Sequence, residues 1–259
     1  MRMRAMKVLP ADGSSHMYFS ERFDQQSSDS NIITGVYGDV NGDNIRDYVY
    51  LTGTRTPNSG YIQNITLVIR DGRTGIKQKA RLRSDSGYSP TVTLQDFTGD
   101  GIKDIMVGIA SGGSGGIMFY YIFSDVNNRL FQMFDYEEYN QRYTYEVTYE
   151  DYYKVTVRNK ERKVSFLIDI SNKGREYLDE IYTPQGILKQ PIEGWVDPLG
   201  GLYPVDFDGN GIYELLGYQS IAGRYHADSL GYVQSVLKWN GKRFYLMNQY
   251  VAVFGAESG

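Results

Sequence analysis

The nine residues "DVNGDNIRD", Asp39 to Asp47, place an oxygen-bearing side chain at every second position. Two further stretches, "DFTGDGIKD" (96–104) and "DFDGNGIYE" (206–214), repeat this arrangement. We name the three stretches loop one, loop two and loop three. Each lies before a nearly all-apolar run of strand length and after a run with β-type alternation. Their spacing therefore indicates a repeated structural unit.

The spacing of the acidic loops predicts four units. Loops one and two begin 57 residues apart, and loop three begins 110 residues after loop two, about twice that interval. A missing member is expected near residue 151, where the chain reads "YEVTYEDYYKVTV" with Asp151 at the expected place. We interpret it as the same unit with its loop reduced to a tight turn.

Each unit is predicted to contain four strands. In the second unit they are "TVTLQD", "DIMVGIAS", "GIMFYYIFSD" and "RLFQMFD", and in the third the last is "EYLDEIY". Alternation, aromatic and β-branched residues, and glycine or asparagine breaks support these strands. The second run of the loop-bearing units is apolar throughout, which is typical of a sheet packed between two others.

Four antiparallel strands repeated in this way predict an all-β fold, a β-propeller of about four blades. Residues 1–30 could supply closing strands or a fifth blade. We expect one propeller domain over 31–253, with units at 31–84, 88–135, 143–190 and 200–253 and a tail at 254–259. A solenoid is the competing repeat architecture, but units of this length are long for one.

Composition limits the partners. The net charge is −4 and the pI about 5.3, so there is no electrostatic reason to expect binding of nucleic acid. The chain has no cysteine, which excludes disulfides and thiol chemistry. No apolar run is long enough to span a bilayer, so we expect no membrane insertion, and we expect a monomer. The first residues lack the apolar stretch of a secretory signal.

The acidic loops predict metal sites. Oxygen ligands at positions 1, 3, 5 and 9, with a backbone carbonyl at position 7, match the first part of an EF-hand loop and favour Ca²⁺ over Mg²⁺. The predicted ligands are Asp39, Asn41, Asp43, Ile45 and Asp47 in loop one, Asp96, Thr98, Asp100, Ile102 and Asp104 in loop two, and Asp206, Asp208, Asn210, Ile212 and Glu214 in loop three. We expect three Ca²⁺ ions. The alternative is an Asp/Asn/Gly turn without metal, which explains three copies at a common spacing less well.

The pattern D-x-[DNT]-G-[DN]-x-I-x-[DE] between strands resembles the FG-GAP (VCBS-type) repeats of integrin α-subunit propellers and many bacterial proteins. With the unit that lacks a loop, the resemblance covers roughly residues 31–253. It implies a propeller in which the loops between strands hold Ca²⁺ structurally, and it favours an extracellular or cell-surface location. Two features depart from the family: Thr98 is a weaker, neutral ligand, and the third unit has lost its loop.

A second polar cluster lies in "GRYHADS", which contains Arg224, Tyr225, His226 and Asp228. Together these side chains could perform acid–base chemistry on a sugar, as in a polysaccharide lyase or hydrolase. The alternative is a loop whose polar groups bond one another and hold two units together. The glycine-rich "SGGSGG" (111–116) lacks the Lys-Ser/Thr of a P-loop, so we expect a flexible loop between strands there.

The function expected from the sequence is a calcium-binding, non-enzymatic binding or scaffold module with an unknown protein or carbohydrate ligand. Its alternatives are the polysaccharide-active enzyme and a purely structural surface or coat component. A convergence of the four "GRYHADS" side chains in one pocket would favour the enzyme.

Overall fold

The computed structural model describes residues 31–113 and 115–255. The closing strands expected within residues 1–30, and residues 256–259 of the expected tail, lie outside the described part of the chain. Within it, the protein consists of two antiparallel sheets of eight strands each and two short α-helices. The predicted all-β class is therefore confirmed.

The first sheet is formed by the N-terminal half of the described chain. Its strands follow the order β1-β2-β3-β5-β6-β7-β8, with β4 paired to β3 on the side. Their bounds are β1 (Ile32–Gly38), β2 (Asp47–Arg55), β3 (Tyr61–Arg70), β4 (Lys77–Arg81), β5 (Gly87–Gln95), β6 (Asp104–Ala110), β7 (Met118–Ser124) and β8 (Phe131–Asp135).

The second sheet is formed by the C-terminal half. Its order is β11-β10-β9-β12-β14-β15-β16, with β13 paired to β14. Helix α1 (Tyr136–Arg142) precedes it and α2 (Arg175–Ile181) follows β11. The strand bounds are β9 (Tyr145–Glu150), β10 (Lys154–Asn159), β11 (Val164–Asp169), β12 (Glu193–Val196), β13 (Gly201–Val205), β14 (Glu214–Ala222), β15 (Ser229–Trp239) and β16 (Phe244–Ala252).

Both sheets are made of consecutive antiparallel meanders. We call β1 to β4 unit one, β5 to β8 unit two, β9 to β11 with α2 unit three, and β13 to β16 unit four. The apolar second strand of a unit lies inside its meander, and six of the seven residues of β6 are buried. Such a strand packs on both faces. The blade count and the domain boundaries of the sequence analysis stay predictions.

Two apolar cores hold the sheets together. The larger core joins residues of units one and two to residues of unit four, among them Val49, Ile105 and Leu215. The smaller core joins unit three to unit four, for example Val157 to Val233. Unit four therefore contributes to both cores. No helix among the described residues has the length and apolar character that crossing a bilayer requires.

The segment "EYLDEIY", predicted as a strand, forms helix α2 instead. Leu178 and Ile181 are its buried residues, and a spacing of three places both on one helical face. Helix α1 was not predicted. It begins where the Asp135 side chain accepts a hydrogen bond from the backbone N–H of Glu137 at 2.8 Å, a helix N-cap. In α2 a short local pattern prevails over the repeat, whereas α1 lies between two of the predicted units.

In each sheet, one glycine lies at the joint between two meanders. Gly87 of β5 pairs with Ile62 of β3, and Gly194 of β12 pairs with Val147 of β9. A Cβ atom at Gly87 would lie 2.4 Å from the carbonyl oxygen of Ala110, and one at Gly194 would lie 2.3 Å from that of Ala222. Because the obstacle is backbone, a side chain here forces the strands apart.

We expect Gly87→Ala and Gly194→Ala each to lower the free energy of unfolding by about 1–3 kcal/mol, the usual cost of overpacking. Urea denaturation followed by circular dichroism measures this change. Gly113→Ala is the matched control, because a Cβ there has no neighbour within 4 Å. Equal, small effects at all three positions would show that the joints between meanders are not tightly packed.

Candidate functional site

The first carboxylate of each acidic loop organises the loop backbone. Asp39 accepts hydrogen bonds from the N–H groups of Gly42 (2.7 Å) and Asn44 (2.8 Å). Asp96 accepts from Gly99 and Gly101, and Asp206 accepts from Gly209, Asn210 and Gly211. All three loops therefore share one hydrogen-bonded frame that curls the backbone around the first side chain.

The fifth side chain closes a second turn in each loop. Asp43 accepts from the N–H of Ile45, Asp100 from Ile102, and Asn210 from Ile212, at 2.7–2.9 Å. At the third position, Asn41 accepts from the N–H of Asp43, Thr98 donates to Asp96, and Asp208 is exposed. These turns leave further lone pairs on the oxygens, so the hydrogen bonds do not exhaust their capacity to bind a cation.

The ninth residue of each loop is a buried acid that begins the central strand of its unit. Asp47, Asp104 and Glu214 are the first residues of β2, β6 and β14, and each is at most 2% exposed. Asp47 accepts from Val40 N–H and Asp104 from Phe97 N–H, both at 3.0 Å. A carboxylate is thus placed at the base of each loop.

The electrostatics of loop two are unbalanced. Burial raises the pKa of Asp104 to about 6, and repulsion from Asp100 and Asp96 adds to this, although the Phe97 N–H and the Ser124 hydroxyl oppose it. Within residues 31–113 and 115–255, no basic side chain forms an ion pair with these three acids. The repulsion that Asp96 and Asp100 exert on Asp104 is therefore not offset by an ion pair in the described part of the chain.

Loops one and three each meet one basic side chain. Arg73 Nε lies 2.7 Å from Asp43 Oδ2, and Lys238 Nζ lies 2.8 Å from Glu214 Oε1. The other oxygen of Glu214, Oε2, is one of two buried side-chain atoms in the described chain that have no hydrogen-bond partner. A buried carboxylate oxygen without a partner costs free energy, which a cation would recover.

The donor set of the loops is chemically suited to Ca²⁺. It consists of carboxylate, amide, hydroxyl and carbonyl oxygens, the hard ligands that this ion prefers. In the described part of the chain, no group of three or more His, Cys, Asp or Glu side chains forms a metal site by itself. Any site in these loops therefore needs the neutral oxygens of residues such as Asn41, Thr98 and Asn210.

The acidic loops also join one unit to the next. The N–H of Lys103, the eighth residue of loop two, donates to the carbonyl of Asp39, and the N–H of Tyr213, the eighth of loop three, donates to that of Asp96. Ile102 lies against Gly42, and Ile212 lies against Gly99 in the same way. Loop two therefore contacts loop one as loop three contacts loop two.

A second group of buried acids, missed by the sequence analysis, lies beside loop one. Asp71 follows β3 and Asp125 follows β7, and both are buried near Asp47. Asn41 donates to Asp71 at 3.2 Å, and Gln78 donates to both oxygens of Asp125 at 3.0 Å. The signal that could have found them is an acid directly after the third strand of both units.

The four side chains of "GRYHADS" do not converge. Asp228 points inward and accepts from Tyr177 at 2.7 Å and Tyr149 at 3.2 Å, and it pairs with Lys173. The Arg224 guanidinium instead contacts Glu180 at 2.7 Å, Tyr225 is 54% exposed, and His226 packs on Trp195. These contacts favour the interpretation as a structural connection between units over that of an enzyme site.

Asp228 is stabilised as a carboxylate. Burial by itself would raise its pKa, but the pair with Lys173 and the hydrogen bonds from Arg224 N–H and Tyr177 outweigh burial and lower the pKa. Its partners come from β9, the segment after β11, and α2, at positions 51 to 79 residues away. No local sequence signal could have predicted this network.

An uncharged groove lies on one face of unit four. Its volume is about 730 Å³, and its lining includes Tyr203, Tyr218 and Tyr232 together with Gly115 and Gly116 of the glycine-rich loop. Tyr203 packs on Tyr218 with ring centroids 5.6 Å apart, and Tyr218 packs on Tyr232 at 6.5 Å. The groove therefore presents a row of aromatic rings that crosses three strands.

The chain is an all-β protein of two antiparallel sheets, and a contact between acidic loops two and three links the sheets. A family model described as the YybI C-terminal domain matches residues 143–252, which include units three and four. Protein YybI of Bacillus subtilis (strain 168) is 51% identical over 235 residues, which cover 91% of this chain and 90% of that protein. The chain therefore belongs to the YybI family. No solved structure matches.

These findings show that the resemblance to FG-GAP (VCBS-type) repeats is wrong. The family model that includes loop three is the YybI C-terminal domain, and the relative that matches nearly the whole chain is YybI. The resemblance depended on three nine-residue loops. An alternation of Asp, Asn and Gly follows from the demands of a tight oxygen-lined turn, and unrelated folds can meet those demands in the same way.

The buried acids beside loop one predict a pH effect on stability. Burial raises the pKa of Asp125 to about 7, and repulsion from Asp47 and Asp71 adds to this, while Gln78 opposes it. Because the unfolded value is about 3.9, the folded state binds more protons between pH 4 and 7. The contribution of Asp125 to stability therefore falls as the pH rises through this window.

We expect Asp125→Asn to raise the free energy of unfolding of the metal-free protein, relative to wild type, by more at pH 8 than at pH 5. Urea denaturation of both proteins in chelator measures this difference. Asp179→Asn, an exposed substitution on α2, serves as the control and should change the free energy of unfolding equally at the two pH values. A stability difference between Asp125→Asn and wild type that is the same at both pH values contradicts the assignment.

Proposed function

We propose that this protein is a calcium-stabilised, non-enzymatic binding or scaffold module with a cation in each of loops one to three. The observation that carries the proposal is loop two, where the buried Asp104 is repelled by Asp96 and Asp100, and none of the three acids has an ion-pair partner among the described residues. A bound cation would relieve their repulsion. The unpartnered Oε2 of Glu214 in loop three supports the same role there.

We further propose that the units stack face to face like the blades of a propeller, in the spatial order one, two, four, three. Two contacts of the same kind, Lys103 N–H to Asp39 and Tyr213 N–H to Asp96, support the order one, two, four. The smaller core, which joins units three and four, supports the last place for unit three. The cations would then lie beside the contacts between neighbouring units.

Calcium binding should stabilise the fold. At a hundredfold excess over Kd, each site that binds only the folded state adds about 2.7 kcal/mol. We expect chelation to lower the Tm and added Ca²⁺ to restore it, as measured by differential scanning calorimetry. An unchanged Tm for protein proven metal-free by elemental analysis would refute the proposal.

Asp100→Ala tests the ligand assignment. We expect this variant to bind about one equivalent of Ca²⁺ less than wild type, because the fifth-position carboxylate of loop two is lost. Asp179→Ala provides a control with the same loss of charge on the surface of α2. Full stoichiometry in Asp100→Ala would show that the predicted ligands are wrong.

The groove on unit four is the proposed ligand surface of the module. Exposed tyrosines offer apolar ring faces and a hydroxyl, a combination enriched at binding surfaces. The residues that line the groove, which include Ser220 and several glycines, carry no charged side chain. We propose an uncharged ligand with apolar faces, and a neutral carbohydrate chain fits this chemistry.

We expect wild-type protein to bind neutral rather than acidic oligosaccharides on a glycan array. Tyr203→Ala should weaken that binding about tenfold, the equivalent of roughly 1.4 kcal/mol. Tyr225→Ala is the matched control, because Tyr225 is as exposed as Tyr203, at 54%, and lies outside the groove. Equal loss in both variants, or binding that Tyr203→Ala leaves unchanged, would remove the groove as the ligand surface.

A further inference from the structure

Loop one differs from the other loops because an arginine forms an ion pair with the acid at its fifth position. Arg73 lies in the turn between β3 and β4. Its Nε donates to Asp43 Oδ2 at 2.7 Å, and its Nη2 donates to the backbone carbonyl of Asp43 at 2.9 Å. The guanidinium therefore binds both a predicted metal ligand and the backbone of the same residue.

The equivalent turns of the other units lack this contact. Asp71 accepts from the N–H of Arg73, and Asn240 accepts from that of Lys242 in the same way, so Lys242 occupies the equivalent place in unit four. The loop of the same unit has the neutral Asn210 as its fifth residue. In unit two the place two residues after Asp125 is the neutral Asn127. Among the three loops, only loop one combines an acid with a basic partner at this position.

We infer that Arg73 is a built-in competitor for the cation at loop one, so that calcium fills loop one last. This inference rests on the proposed function. An ion that binds Asp43 Oδ2 displaces Nε of Arg73, and an ion that binds Oδ1 lies beside the guanidinium charge, which repels it. Loop two requires no such exchange, because its acids have no ion-pair partner among the described residues. In loop three, Lys238 binds only Oε1 of Glu214, and the buried Oε2 has no hydrogen-bond partner that an ion would have to displace.

The same contact gives loop one a shape that does not depend on metal. The carboxylate of Asp43 is neutralised by Arg73 in the absence of any added ion, and the turns at Asp39 and Asn41 complete the loop. Loop one is therefore the loop that chelation disturbs least. Calcium would act first at the contact between loops two and three, which joins units two and four, and last at loop one in unit one.

The experiment is a calcium titration of the full chain by equilibrium dialysis with wild type, Arg73→Gln and Arg46→Gln. Arg73 is 56% exposed, so its pair with Asp43 has the modest strength of a surface ion pair. We expect two tighter sites and one weaker site in wild type. Arg73→Gln should tighten the weaker site about fivefold. The double variant Arg73→Gln/Asp43→Ala should lose that site.

Arg46→Gln is the matched control. Arg46 belongs to loop one and donates to the carbonyl of Tyr37 at 3.1 Å, without contact to a predicted ligand side chain. Arg46→Gln likewise removes one positive charge beside the loop-one site but releases no ligand, so it should leave the weaker site unchanged. Arg73→Lys, which keeps the charge and loses the two-pronged contact, should give an intermediate affinity and provides a second test if Arg73→Gln fails to fold.

The outcomes separate the inference from the proposed function. Three equivalent sites in wild type, or an Arg73→Gln titration identical to wild type, overturn the inference and leave the calcium proposal standing. Equal tightening by Arg46→Gln also overturns it, because long-range charge would then explain the effect. Absence of calcium binding in every variant overturns both.

Discussion

The burial of a carboxylate at the start of the central strands β2, β6 and β14 is the constraint on which the rest of the structure depends. Asp47, Asp104 and Glu214 each begin a strand that runs through an apolar core, so the acid lies at the margin of that core. A buried charge requires hydrogen bonds or a counter-charge. The tight turns of the acidic loops supply backbone N–H groups, which explains why loop shape and strand position are linked.

The strands could be predicted because they obey a local rule. Side chains alternate between two faces, and a strand buried on both faces is apolar throughout, so β6 was recognisable from "IMVGI" alone. Repetition at a common spacing then defined the meanders. The same reasoning failed at α2, where Leu178 and Ile181 decide the local structure, and a spacing of three is easily taken for alternation in a short segment.

The candidate site was predictable only within each loop. Nine consecutive residues were enough to nominate Asp39 or Asp100, because the ligands of such a loop are close in sequence. Arg73 and Asp125 reach the same region from turns that are distant along the chain. The partners of Asp228 are likewise contributed by separate elements. Long-range packing decides such contacts, and one sequence carries no direct record of it.

Unit four is shared by both apolar cores, and this sharing governs how the protein loses its structure. If unit four opens, the remaining units lose apolar contacts on two sides at once, so neither half of the molecule retains a complete interior. The two sheets are therefore thermodynamically coupled despite their separate hydrogen-bond ladders. Melting should be a single cooperative event, and a partly folded species that keeps only one sheet should be sparsely populated.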